Sequence, residues 1–178
     1  MERQSDNEHV KEVYARFGLA IYHAQVLEHG IVNALAILDL VPSRMHTARS
    51  RAEWAKIVDQ FMSRHFETTM GQLMKSLRSV TVVHPELENL MRDSLKKRNW
   101  LAHDFFRDCS SDFITFNWRE KMLKEIFDCN ELFSKTDKYL DESIRPLREK
   151  YGITDAFIER ETNKIEEEQI QKENGTGT

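Results

Sequence analysis

Apolar residues return along this chain at steps of three and four, the spacing that lines one side of an α-helix. From about Glu8 to Leu40 the stripe is Phe17, Ala20, Ile21, Ala24, Leu27, Ile31, Leu35 and Leu38, with Pro42 expected to end the helix. A second helix is expected from Ser50 to about Ser79. It opens on Ser50 and Glu53, spaced as a capping box, and turns Trp54, Ile57, Val58, Phe61, Met70, Leu73 and Leu77 inward. A third starts at Pro85, where a missing N–H costs nothing, and presents Leu87, Leu90, Met91, Ser94, Leu95, Arg98, Ala102 and Phe105 along one side. The connector from Asp108 to Trp118 holds Phe113-Ile114-Thr115-Phe116, a β-prone run that reads as a loop or a single strand. A fourth helix follows from about Arg119 to Ile144, with Met122, Ile126, Leu132, Phe133 and Leu140 as its apolar set. Pro146 is expected to end or kink it.

Composition agrees with that pattern, since 6 Gly and 3 Pro among 178 residues leave few breaks. The expected fold is all-α: an antiparallel four-helix bundle over residues 1–150, followed by a charged tail over 151–178. From Thr154 onward the chain is strongly charged, with Glu166-Glu167-Glu168 and a Gly-Thr-Gly-Thr end, so the tail is expected to be helical or disordered. There is no positively charged start followed by an apolar run and no uninterrupted apolar stretch of membrane length. The expectation is a cytoplasmic protein with no membrane contact.

A net charge of -4 disfavours a generic nucleic-acid binder, but the charge is unevenly spread. Residues 44–107 hold 12 Lys/Arg against 7 Asp/Glu, while the rest of the chain holds 14 against 23. A basic centre can attract phosphates, although a solvated helix face gives the same count. Cys109 and Cys129 stand twenty apart, with no second cysteine near either to form a zinc knuckle or a redox pair, so both read as reduced, incidental thiols. His23 and His29 fall on different faces of the first helix, and neither a His-Glu-x-x-His pattern nor a Gly-rich phosphate loop occurs. No metal and no cofactor are expected.

One stretch reads as chemistry. Residues 98–103, Arg-Asn-Trp-Leu-Ala-His, put a permanent cation, an amide and an imidazole within one and a half turns near the end of the third helix. At 100° per residue Asn99 and His103 project to nearly the same side, with Arg98 about 100° from Asn99 and 140° from His103. A guanidinium on the inward stripe needs a partner, because desolvating it alone is costly. Glu28 lies beside Ala24, Leu27 and Ile31 on the first helix, with Gln25 one turn before it. Both are candidates to hold Arg98 by charge-assisted hydrogen bonds. Trp100, inside the hexad, and Lys97 beside it are candidate RNA contacts, although a buried tryptophan is the commoner finding in a bundle. Cys109 as a thiol nucleophile lacks an orienting third group.

Arg-polar-x-x-x-His near the end of a third bundle helix resembles the motif of HEPN (higher eukaryotes and prokaryotes nucleotide-binding) domains, matched here by Arg98, Asn99 and His103. The run Lys97-Arg98-Asn99-Trp100-Leu101-Ala102-His103-Asp104-Phe105-Phe106 is similar to bacterial members with Arg-Asn-x-Leu-Ala-His. The likeness extends loosely over residues 8–148 as bundle topology, and only the hexad is specific. It implies a bundle of HEPN type and a metal-independent endoribonuclease whose cleft is completed by homodimerisation, each subunit giving its Arg98 and His103. It also implies RNA as substrate, a toxin-antitoxin or phage-defence setting, and an antitoxin or regulatory protein as a further partner. In such a cleft His103 would act as general base on the ribose 2′-hydroxyl or as general acid toward the leaving 5′-oxygen. Arg98 would stabilise the phosphorane-like transition state, and Asn99 would orient phosphate or imidazole. Two histidines across a two-fold axis allow one neutral base and one protonated acid, since imidazole ordinarily titrates at about 6.5. The other reading is a non-catalytic helical dimer that binds RNA, a nucleotide or a protein partner.

Overall fold

The computed structural model describes residues 2–110 and 115–175, with side chains over 7–110 and 115–174. Phe113 and Ile114 of the β-prone run lie outside the described residues. Helix accounts for 89% and there is no strand among the described residues, so the chain is all-α. Helix α1 spans Glu2–Leu35, α2 Val41–Arg44, α3 Arg51–Phe66, α4 Met70–Val80, α5 Pro85–His103, α6 Phe105–Asp108, α7 Phe116–Lys150 and α8 Asp155–Gly175.

Pro42 acts differently from expectation, and Pro146 does not end its helix. Pro42 does not end the first helix: α1 widens into a π turn over Ala36–Leu40, in which the Val41 N–H reaches the Ala36 carbonyl, and α2 continues beyond it. A proline at 42 has no N–H for the Leu38 carbonyl and its ring crowds that oxygen; opening the preceding turn relieves both problems. Pro146 sits on an exposed face inside α7, where water can satisfy the carbonyl it leaves without a donor, and the helix runs on to Lys150. The stop falls instead at Gly152. With φ 79° it takes the left-handed position of a Schellman turn, its N–H bonding Glu149 O at 2.8 Å while Ile153 N–H bonds Arg148 O at 3.0 Å.

The helix expected over 50–79 is two helices. Ser50 caps α3 by accepting from Glu53 N at 3.1 Å. The Glu53 side chain accepts from Arg49 N rather than Ser50 N, so the full capping box is the one that opens α4, Thr69 with Gln72. Its N-cap threonine needs extended backbone, φ -76° and ψ 154°, so the helix breaks before it. The strand-prone connector is likewise corrected at its end: Thr115 is the N-cap and Phe116 the first residue of α7.

Contacts along the helices fix their directions. His9 pairs with Glu120, His23 with Ser134, and Gly30 packs on Asp137 and Leu140, so α1 and α7 run parallel. Helix α5 runs against both, with His84 at Tyr139, Ser94 at Thr136 and Phe105 at Phe17. Arg78 at Glu88 and Gly71 at Leu95 make α4 antiparallel to α5. Helices α1, α4 and α7 therefore share one direction and only α5 opposes them, which departs from the expected antiparallel alternation; α3 is the return segment that such an alternation omits. It lies against the end of α1 without a fully buried side chain.

Leu27, Ile31, Leu73, Leu77, Met91, Met122, Ile126 and Phe133, each no more than 2% exposed, join α1, α4, α5 and α7 into one core. Asn7–Thr47 contains an 18-residue window of mean hydropathy 1.4, long and apolar enough to cross a membrane, which the reading of the sequence missed. Half of that window is buried in the bundle. The tail is helical as α8 over Asp155–Gly175, starting from Thr154, whose Oγ1 accepts from Phe157 N at 3.2 Å.

Candidate functional site

Helix α5 buries Leu87, Met91, Ser94 and Leu101, and Phe105 follows on the same line, a stripe whose middle passes through position 98. Leu101, not Ala102, is the inward residue of the hexad, and Ala102 faces solvent. Ser94 and Thr136, both 0% exposed, share a hydrogen bond of 3.0 Å where α5 meets α7; their small side chains let the backbones approach. Arg98 therefore leaves the backbone on the buried face and must turn aside to reach solvation. Its side chain is 32% exposed, and Nε donates to Glu28 Oε1 on α1 at 2.8 Å. Nη1 donates to Asn99 Oδ1 at 3.2 Å. A guanidinium carries five N–H groups. The other three have no partner among the described residues, and the head is held at the α1–α5 seam by one carboxylate and one amide.

The remaining candidates are placed unequally. Asn99 and His103 are exposed and one turn apart on the same side, and His103 is the last residue of α5. Its ring has no hydrogen-bond partner among the described residues. Arg98 and His103 leave the helix 140° apart, so one subunit does not bring guanidinium and imidazole together. Gln25 is exposed and makes no hydrogen bond to Arg98. Lys97 and Trp100 belong to the opposite flank. The Lys97 ammonium donates to Glu125 on α7 at 3.3 Å and lies 4.7 Å from the centre of the Trp100 ring. Trp100 Nε1 donates to Asp108 Oδ2 at 3.1 Å, and its edge meets Phe105 at 5.0 Å. Both side chains are thus engaged toward α6 and α7, away from Glu28.

Three features escaped the reading of the sequence. Phe106 lies against Phe17 at 4.8 Å and Tyr14 at 5.7 Å, an exposed aromatic cluster between α1 and α6 just beyond the hexad. The pair Phe105-Phe106 was its visible sign. Arg119 is 2% exposed and donates to His9 Nδ1 at 3.2 Å, while the His9 ring stacks on Phe116 at 4.3 Å. Arg148, 4% exposed, gathers Asp141, Asp155 and the Ile153 carbonyl. Both arginines continue the buried line of Met122, Ile126, Cys129, Phe133, Thr136, Leu140 and Ile144 at steps of three or four, and that spacing was the available signal. Among the described residues no group of three or more His, Cys, Asp or Glu is placed to hold a metal ion. Compared with family models, curated proteins and solved structures, the chain matches none.

Proposed function

We propose that this chain is a cytoplasmic, metal-independent endoribonuclease of HEPN type, its four principal helices α1, α4, α5 and α7 forming the bundle. Arg98 and His103 of two subunits meet in one shared cleft. The reading rests on one observation: Arg98 is fixed by Glu28 at 2.8 Å yet keeps three N–H groups open, beside an exposed Asn99 and one and a half turns from an exposed imidazole. A cation held rigid and partly unfilled suits a phosphate whose charge grows during reaction. His103 takes the proton of the ribose 2′-hydroxyl, the 2′-oxygen attacks phosphorus, and the 5′-oxygen leaves with a proton from the partner's imidazole. The products are a 2′,3′-cyclic phosphate and a 5′-hydroxyl. DNA lacks the attacking group. Two-fold pairing supplies the convergence that a single α5 lacks, and Gln25, Lys97 and Trp100 flank the cleft rather than take part in the chemistry. An antitoxin or regulatory protein is proposed as the partner that silences it.

The test incubates wild type and His103→Ala with total RNA and EDTA. The expected result is cutting by the wild type alone, both proteins eluting as dimers. Identical RNA profiles from the two proteins would refute catalysis. That result would favour the second reading, a non-catalytic dimer binding RNA, a nucleotide or a protein, to which the neutralisation of Arg98 by Glu28 lends support.

A further inference from the structure

Far from the hexad, the end of α1 and the inner side of α3 enclose a cleft of about 630 Å³, within the range of small-ligand sites. Asp39 stands on the π turn, Ser43 and Arg44 on α2, and Gln60, Phe61 and Arg64 on α3, so three elements converge on it. Glu28 and Asp39 are eleven residues apart along α1 and its π turn, roughly 16 Å at the helical rise. The two sites are separate.

We propose that this cleft binds a ribose 5-phosphate group, with its phosphate on Arg44 and Arg64, its hydroxyls on Asp39, and an attached base against Phe61. Neither arginine pairs with a carboxylate among the described residues, and Asp39 pairs with neither of them. Two guanidinium groups without carboxylate partners, on different helices lining one cleft, offer a phosphate two cationic anchors. The surrounding segment 44–64 adds Arg49, Arg51 and Lys56 against Glu53 and Asp59, which keeps the local potential positive. A cleft meant for phosphate alone gains nothing from a carboxylate. Asp39 therefore selects a ligand that also brings hydroxyl donors, as the paired hydroxyls of a ribose do. Phe61, 4.1 Å from the His65 ring, and Ile57 form the apolar wall on which a planar base rests. The π turn that carries Asp39 exists because Pro42 forces it, so this rim is built by the sequence and does not depend on the Arg98 site.

Calorimetric titration of the full chain would use AMP, ribose 5-phosphate, inorganic phosphate and a 5′-phosphorylated tetraribonucleotide. AMP is expected to bind at least tenfold more tightly than inorganic phosphate, with ribose 5-phosphate between them. Arg44→Gln and Arg64→Gln should each weaken AMP at least tenfold. Asp39→Asn should weaken AMP while sparing inorganic phosphate. These residues are exposed, so the variants should keep the wild-type melting temperature, a check run on each. Tetranucleotide binding equal to AMP assigns the site to RNA 5′ ends; binding of AMP alone assigns it to free nucleotides. The proposal is overturned if no ribose phosphate binds, if inorganic phosphate binds as well as AMP, or if Arg98→Gln abolishes AMP binding while Arg44→Gln and Arg64→Gln leave it intact. RNA cleavage by the Arg44 and Arg64 variants, assayed in parallel, keeps failure here distinct from failure of the ribonuclease reading.

Discussion

Asp137 projects from α7 against the backbone of Gly30 on α1, so close that a methyl group at position 30 would overlap its Oδ1. Among the described residues no cation pairs with it, and burial, reinforced by the charge of Asp141, raises its pKa above the ordinary carboxylate value. The folded chain therefore holds this proton to higher pH than the unfolded chain, where an aspartate titrates at about 3.9. From about pH 4 upward the folded state binds more protons, so stability falls as pH rises through that window and stays lower above it. Asp137→Asn should remove the fall, melting above wild type at pH 7 and matching it below about pH 4; a lower melting point at pH 7 would mean that the carboxylate is paired. Gly30→Ala should destabilise the wild type, because the methyl displaces the carboxyl group. In an Asp137→Ala background the same change should stabilise by up to about 1 kcal/mol, the ordinary helix preference for alanine over glycine. Cys129 is 0% exposed and burial pushes its thiol up to about 11. At pH 8 a thiol reagent should therefore leave Cys129 unmodified in the native chain and modify it after denaturation.

At the scale of elements, α8 is tied to α7 through Asp155, which pairs with the buried Arg148 and, at 3.8 Å, with Arg145. Arg148 donates from Nη1 to Ile153 O at 2.9 Å and from Nη2 to Asp155, and its Nε lies 3.4 Å from Asp141. The hydrogen bond from Arg148 holds the Asp155 carboxyl below the usual carboxylate range. A depressed carboxylate contributes above its unfolded value of about 3.9 and loses that contribution as pH falls through the lower folded value. Amide exchange over 155–175 should accordingly rise to that of a detached helix below about pH 4, while α7 stays protected. Arg148→Met should give the same pattern at pH 7; equal protection of α8 at pH 7 and pH 3 would show that its apolar side chains hold it instead. The sequence showed α8 as charge and α7 as a stripe, but the tie between them needed Arg148 to be recognised as a member of that stripe. Helices α1, α5 and α7 were readable because their apolar spacing is regular over many turns. The break between α3 and α4 was missed because apolar positions at 61 and 70 bridge it, whereas Thr69 and Gln72 marked it by chemistry rather than by period. The helix stops expected at Pro42 and Pro146 are absent for a shared reason: each proline loses one backbone donor, and a π turn at one and solvent at the other absorb the loss.

For the whole molecule, periodicity tells which side of a helix faces inward but not which helix it faces, so the parallel course of α1 and α7 had no sign in the chain. The contact between Glu28 and Arg98 was readable, since both positions border buried stripes and a half-buried cation is stabilised by a nearby anion. Where the Arg98 head and the His103 ring converge is a property of the assembly, and it has a test that separates a shared cleft from two private ones. Arg98→Ala and His103→Ala are each expected to be inactive alone, with cleavage reduced at least a hundredfold, about the contribution of a positioned proton-transfer group. Mixed in equal amounts and allowed to exchange subunits, about half of the dimers of a two-fold assembly hold one chain of each kind. Each mixed dimer then offers one intact Arg98 and one intact His103 to the common cleft. The single imidazole left in that cleft fills the base or the acid role but not both, so cleavage should reappear on mixing only in part, above either variant alone and well below half the wild-type level. Removing Glu28 from the chain that retains Arg98 should lower it again, because the guanidinium then loses the contact that fixes it. No recovery after verified exchange would mean that the chemistry requires both residues twice over or within one chain, and the shared two-fold site with a single working pair would fall.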